Sequence, residues 1–189
     1  MLHNRTTIIN TALMRVAAPG ATSPDEDSQA AQHANAAYDR ARDLCLASYP
    51  WTFAAKFKAL EQLAEASVPN LKSYTLPPDC LRVIGVSTLC YGQACDDYIL
   101  AGKALHSRHA GLVLHYVSAD ATQTFPDHFA DALAWRIALE ISPHVEQGAV
   151  NAKTYLEMHE FSLDQAKVHN DAQAPASPTP SAYLQERFG

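Results

Sequence analysis

Most of the devices by which a chain of 189 residues declares a chemistry are missing here. Glycine is scarce, with seven residues. None of them builds a G-x-G-x-x-G, a P-loop or a G-x-S-x-G elbow, and Gly102-Lys103 has no glycine-rich loop in front of it. The common nucleotide cradles and the serine-hydrolase elbow are therefore excluded. Cysteine is sparse as well: Cys45, Cys80, Cys90 and Cys95 make no C-x-x-C pair, and no second pair completes a zinc site around Cys90 and Cys95. They read as small buried thiols. No apolar run approaches the about 18 residues of a membrane helix. The opening "MLHNRTTIIN" has neither the apolar run nor the small-residue cleavage site of a signal peptide, so the expectation is a protein that folds in a cytoplasm. Basic residues are outnumbered, 14 against 20 acidic, and no basic run exists. Because nucleic-acid affinity rests largely on neutralising phosphates, a tight grip on DNA is excluded.

What is present suffices for a core. Apolar residues make up 48% and charged residues 18%, the balance of an ordinary globular protein of one domain, or one domain with a lobe. Ile8, Ile9, Ala12, Leu13 and Val16 recur at helical spacing. "AAPGATSPDEDS" breaks that helix, and Ser23-Pro24 with the acidic residues 25–27 suits the start of a second one, running to about residue 48. Its alanines at 30, 31, 34, 36, 37 and 41 form a small-residue face that another helix can approach closely. Pro50 disfavours helix at Tyr49 and ends the pattern.

"YPWTFAAKFKAL" follows, and the periodicity changes. Residues 52–117 carry strand signals: a Pro77-Pro78 turn before the β-branched run 81–86, a hairpin in "DDYILAGKALHS" with Gly102 at its tip, and alternation in "GLVLHYVSA". There Leu112, Leu114 and Tyr116 share one face, and Val113, His115 and Val117 the other. Strands without intervening helices predict an antiparallel sheet. Helix returns in "TFPDHFADALAWRIALEISPHV", where Thr124 and Asp127 resemble a capping box with Pro126 in the first turn. Phe129, Leu133, Ile137 and Ile141 repeat every four residues while alanines, Trp135 and Leu139 fill other faces. A helix apolar nearly all round must be covered on several sides, by its own bundle or by a neighbouring subunit. A last helix, residues 147–173, has Val150, Tyr155, Met158 and Phe161 as its apolar set, and the proline-rich residues 174–189 read as an extended tail.

The predicted fold class is thus α+β: an antiparallel helical bundle of residues 1–50 and 126–173, an inserted antiparallel β lobe of residues 51–125, and the tail. Trp51, Phe53 and Ala54 fall where the two halves meet, which predicts a structural seam; a base-stacking platform needs a basic groove, and only Lys56 and Lys58 are near. Chemistry is harder to find. His106 and His109 are poorly spaced for sharing a metal on a strand. His159 lacks the second histidine of H-E-x-x-H, and His128 between Asp127 and Asp131 reads as a solvated helix start before it reads as a ligand. Asp96 and Asp97 are adjacent and point to opposite faces.

The order of "IINTALMRV", "AAYDRARDLCLASYPWTFAAK", "YTLPPDCLRVIGV", a hairpin, "LHYV" and "FPDHFADALAWRIALEIS" resembles the head-to-tail adaptors of short-tailed bacteriophages, the tail tubular protein A family, over about residues 6–170. The resemblance implies a non-enzymatic virion protein at the head–tail junction, without metal or cofactor and made in the host bacterial cytoplasm. It implies a ring, typically of twelve copies, beneath the portal protein, with the tail nozzle protein below, tail fibres at its side in some members, and genomic DNA passing through without specific binding. On the matching motifs, Trp51, Phe53, Ala54, Pro77, Asp79 and Arg82 take structural positions, with Asp79 and Arg82 as an ion pair at a strand entry. Phe129, Leu133, Trp135, Ile137 and Ile141 are the expected subunit interface. Tyr183, Leu184 and Phe188 are the expected anchors of the tail on the portal or a neighbour. The alternatives are a different oligomeric connector or head-completion protein and, from another class, a small metal-dependent hydrolase using His128 or His159.

Overall fold

A computed structural model of the chain describes residues 2–16, 29–64, 68–88, 94–120, 122–145 and 152–173. The fold is α+β, four helices and three small antiparallel sheets. After a two-residue strand β1 (Leu2–His3), α1 (Arg5–Arg15) starts on Asn4, whose Oδ1 accepts the Thr7 N–H at 2.9 Å and so satisfies one of the free donors of the first turn. Its buried face is Ile8, Ile9, Ala12 and Leu13, as the spacing predicts. The second helix, α2 (Gln29–Ala47), buries Ala31, Ala34, Tyr38, Ala41, Cys45 and Leu46. Its expected start at residues 23–28 lies outside the described residues, as do Cys90 and the tail.

Past Pro50 the chain makes a single 3-10 turn (Thr52–Ala54) and enters β2 (Ala55–Ala59). Then come β3 (Lys72–Thr75), β4 (Cys80–Thr88), β5 (Tyr98–Ala101), β6 (Ala104–Ser107), β7 (Leu112–Ser118) and β8 (Phe125–Pro126). One sheet has the order β2-β7-β4, a second β3-β6-β5, and β8 pairs with β1. The hairpin between β5 and β6 turns on Gly102 at φ +59°, the conformation that a two-residue turn asks of a glycine. Pro126 pairs with Leu2 in β8, so it ends a strand and does not occupy the first turn of the next helix. Thr124 likewise takes part in a turn with Thr122, and the expected capping box does not form.

The central strand β7 faces both ways. Leu112, Leu114 and Tyr116 join the core of the β lobe with Tyr74, Val86 and Leu105, while Val117 joins the helical core. In β4, register shifts at Cys80/Arg82 and Val83/Gly85 change the spacing from two residues to three. Cys80, Val83 and Val86 consequently face the lobe core, and Leu81 and Ile84 pack on the helices.

The helix α3 (Asp127–Val145) is the axis of the helical half, touched by α1, by α2 and most extensively by α4 (Ala152–Gln173). Its own chain covers it. On α4 the buried set is His159, Ser162, Ala166 and Asn170, so the apolar periodicity misplaces the face: Phe161 is exposed at 61% and Tyr155 and Met158 are half-buried. No described helix is long and apolar enough to cross a membrane.

Candidate functional site

The residues that carry the sequence motifs meet at the junction of the helices with the sheet β2-β7-β4. Pro50 stops α2, and the 3-10 turn swings Trp51 back against the helix it has just left. Its Nε1 donates to the Cys45 carbonyl at 2.9 Å, and the side chain is fully buried. The ring meets Phe129 of α3 edge-on with centroids 5.0 Å apart. Phe53 packs on Phe129 and Phe125 in the same tilted way, at 5.1 and 6.2 Å, geometries that suit the aromatic quadrupole. Ala54 is fully buried in the same core. Two contacts from α4 close the cluster that the sequence did not suggest. Asn170 Oδ1 accepts from the Thr52 backbone N–H at 2.8 Å and its hydroxyl at 3.0 Å, and Tyr49 donates to the Asp171 carboxylate. Nothing in the pattern of α4 marks Asn170 except its wrong-looking position, a polar residue on the buried face.

Asp79 and Arg82 do not pair with each other, which corrects the expected ion pair. The Pro77–Cys80 turn, closed by Cys80 N–H to Pro77 O at 3.0 Å, aims Asp79 toward β7. There its carboxylate accepts from Ser118 at 2.5 Å, from Tyr116 at 3.2 Å and from Lys56 at 3.4 Å. Burial alone pushes the Asp79 carboxyl up, but donation by Ser118, by its own backbone, by Lys56 and by Tyr116 together holds it below the usual carboxylate value. The Tyr116 hydroxyl moves the other way, pushed up to about 12 by burial and by the Asp79 charge. Arg82 instead donates to the Ala47 and Ser48 carbonyls at 3.1 and 3.2 Å, satisfying free acceptors at the end of α2. Both residues are structural: one fastens β4 to β7, the other fastens β4 to α2.

The expected subunit interface is also corrected. Phe129, Leu133, Ile137 and Ile141 are at most 1% exposed, enclosed by α1, α2 and α4 of the same chain, so a second copy has no access to them. Trp135 is half-buried, with the Arg15 guanidinium 3.9 Å over its ring. Arg15 also pairs with Asp131, which accepts from Ser162 of α4 at 2.8 Å. An arginine, an aspartate and a serine from three helices thus tie the bundle together, and burial pushes the Arg15 guanidinium down while Asp131 opposes it. Tyr183, Leu184 and Phe188 lie outside the described residues.

The histidines disperse. His106 is buried and bonds Ser73 through Nδ1 at 2.9 Å, with His109 exposed on the loop beyond. His159 bonds the Ala132 carbonyl at 3.0 Å, and burial lowers its pKa. His128 stacks on His169 with centroids 3.5 Å apart. Among the described residues, no three His, Cys, Asp or Glu side chains are placed to hold a metal. Cys45 is buried, and its thiol is pushed up to about 12, far from a thiolate nucleophile. A cavity of about 400 Å³ lies between the start of α1 and Ala119, Asp120, Thr122 and Gln123, with Arg5 and Arg42 in its wall. Arg42 is already paired with Asp39 and Asp43, and Arg5 is within 4.0 Å of Asp39, so the cavity presents no uncompensated positive charge. The described part of the molecule is built around a packed seam between helices and sheet. No protein-family model matches the chain, and no curated protein matches it in sequence.

Proposed function

We propose that this chain is a head-to-tail adaptor subunit of a short-tailed bacteriophage, a structural protein that assembles into a ring between portal and tail nozzle and lets the genome pass. The observation that carries the reading is the convergence of its motifs. The W-x-F-A segment, the Pro-Pro-Asp turn with its arginine, the L-H-Y-V strand and the F-P-D-H-F helix are scattered over about eighty residues of sequence, yet contacts join them where the helices meet the sheet: Trp51 packs on Phe129, Val117 lies in the same core, Asp79 holds Tyr116, and Arg82 holds the end of α2. That fits a part whose task is to hold a helical layer and a β lobe in fixed relation, as a load-carrying ring subunit must. With Phe129, Leu133, Ile137 and Ile141 internal, contacts between copies fall to the outer faces of the helices, where Met14, Leu44, Phe161 and Val168 are exposed. A net charge of −6 agrees with a conduit through which phosphates slide without being held.

The test is assembly. Purified chain mixed with portal rings of the phage that encodes it is expected to comigrate with them in size-exclusion chromatography and to add a ring of density to one end in electron microscopy. Chain that elutes apart from the portal at every ratio contradicts the proposal.

A further inference from the structure

We propose that His128 and His169 form a two-imidazole site for a zinc ion, which ties the first turn of α3 to the far end of α4. His3, His106 and His159 are committed to hydrogen bonds, with Asp127, Ser73 and the Ala132 carbonyl. His128 and His169 are exposed, and among the described residues their ring nitrogens have no hydrogen-bond partner. Their rings stack on each other, 3.5 Å apart between centroids and 10° from parallel. Uncommitted imidazole nitrogens are ligands for the late first-row divalent ions, whereas magnesium and calcium ask for oxygen. A tetrahedral zinc ion holds two such nitrogens at about 2.0–2.1 Å, which sets them about 3.3 Å from each other. Nitrogens on the same side of rings stacked this closely are already near that separation. A tilt of the two exposed rings aims both lone pairs at one point. Because α3 and α4 pack tightly together, the second nitrogen binds within the same molecule, and the ion is chelated.

A second pair shows what charge adds. His33 of α2 and His144 of α3 also stack without hydrogen bonds among the described residues, at 4.5 Å. Arg40 and Glu140 line their groove, and Arg136 donates to Glu140 at 3.0 Å, so two bases face one acid. Asp127 and Asp131 line the groove beside His128, with Arg15 paired to Asp131, so two acids face one base. A dication is drawn to the second groove and repelled by the first, which makes His128–His169 the tighter site. With two protein ligands, water fills the remaining positions and the ion exchanges. Catalytic zinc keeps three protein ligands, so the site restores no hydrolase. It requires neither a ring nor a portal and stands apart from the adaptor reading.

Calorimetric titration of the chain with zinc chloride, up to about 1 mM, tests it. One ion per chain is expected to bind ahead of any other, and to raise the thermal unfolding temperature as its concentration rises. Affinity is expected to fall on acidification, because protons compete for the same nitrogens. His128→Gln and His169→Gln, both at exposed positions, are expected to keep the far-ultraviolet circular dichroism of the parent. Each is expected to weaken this binding at least about tenfold, one of the two ligands being lost. His33→Gln is expected to leave it unchanged. With copper(II) in place of zinc, electron paramagnetic resonance of the parent is expected to show coupling to two imidazole nitrogens. A chain that binds no zinc in this range overturns the proposal, as does binding that both His128→Gln and His169→Gln retain. Loss of the site on His33→Gln, equal binding of magnesium chloride, or a copper signal without nitrogen coupling overturns it as well.

Discussion

Among the described residues, eight of the 22 buried ones that form the helical core are alanines, and the core of the β lobe has none. Ala34 and Ala41 of α2 and Ala130, Ala134 and Ala138 of α3 are buried in the same core as one aromatic group, Trp51 with Phe53, Phe125 and Phe129. The lobe is built the other way. Leu60, Leu105, Leu112, Leu114, Tyr74 and Tyr116 fill it with large side chains, and its polar groups are paired inside: Ser73 with His106, and Asp79 with Ser118 and Tyr116. A small-residue core is intolerant of added volume, because its neighbours cannot retreat without parting whole helices. A large-residue core is intolerant of lost volume, because it collapses only partly onto the cavity.

The largest effect is expected where the two kinds of core touch. Trp51→Ala removes a fully buried ring and its hydrogen bond to Cys45, and is predicted to cost about 3–5 kcal/mol. If the seam couples the halves, thermal unfolding followed by near- and far-ultraviolet circular dichroism shows one transition at lower temperature. Two separated transitions, with strand signal unmoved, would break the coupling. Next comes Ala138→Leu, at a position with no exposure on α3, predicted to cost about 1–3 kcal/mol through overpacking. An unchanged denaturant midpoint would show that the helical half has slack, and the contrast between the two cores would fail.

The polar network of the lobe gives a pH signature that the helical core does not share. Asp79 is held below the ordinary carboxylate value in the folded chain. Its contribution is complete above that ordinary value of about 3.9 and is lost as pH falls through the lowered folded-state value. Asp79→Asn is predicted to be less stable at neutral pH by about 1–3 kcal/mol, because buried donors from Ser118 and Tyr116 lose their charged acceptor, and to lose less on acidification than the parent. Parallel acid-unfolding curves for the two proteins would remove Asp79 from the account. Arg82→Ala is the smallest, about 0.5–1.5 kcal/mol, since the side chain is exposed and gives up two hydrogen bonds to the end of α2. Its sharpening value lies in a comparison: Asp79→Asn and Arg82→Ala in one chain should add, because the two residues do not touch. Strong coupling would reinstate the ion pair between them.

Those two residues also show how far the sequence can be read. The α+β class is legible in the change of period at Pro50, because both periods persist over many residues. The aromatic seam is legible for a related reason: large rings concentrated at a change of period have few places to go except between the two parts. Spacing alone suggests that Asp79 and Arg82 face each other, but the Pro77–Cys80 turn and the first irregularity in β4 send them to opposite neighbours. Register irregularities leave no mark in a β-branched run, so the split of Leu81 and Ile84 from Val83 and Val86 is invisible beforehand. On α4 the pattern is misleading because its buried face is polar, with His159, Ser162 and Asn170 turned to partners contributed by distant segments. Apolar periodicity cannot detect a face held by hydrogen bonds. The coverage of α3 by its own chain is likewise a matter of how four helices assemble, and a single helix reads the same whether its cover is internal or a second copy.

Localisation in the virion tests the adaptor proposal most directly. Antibody against this chain, imaged by electron microscopy on intact and tail-stripped particles, is predicted to label one site, at the junction of head and tail, and to remain on the head side when the nozzle is removed. Label spread over the capsid or confined to fibres, or particles that carry none of the chain, would contradict it.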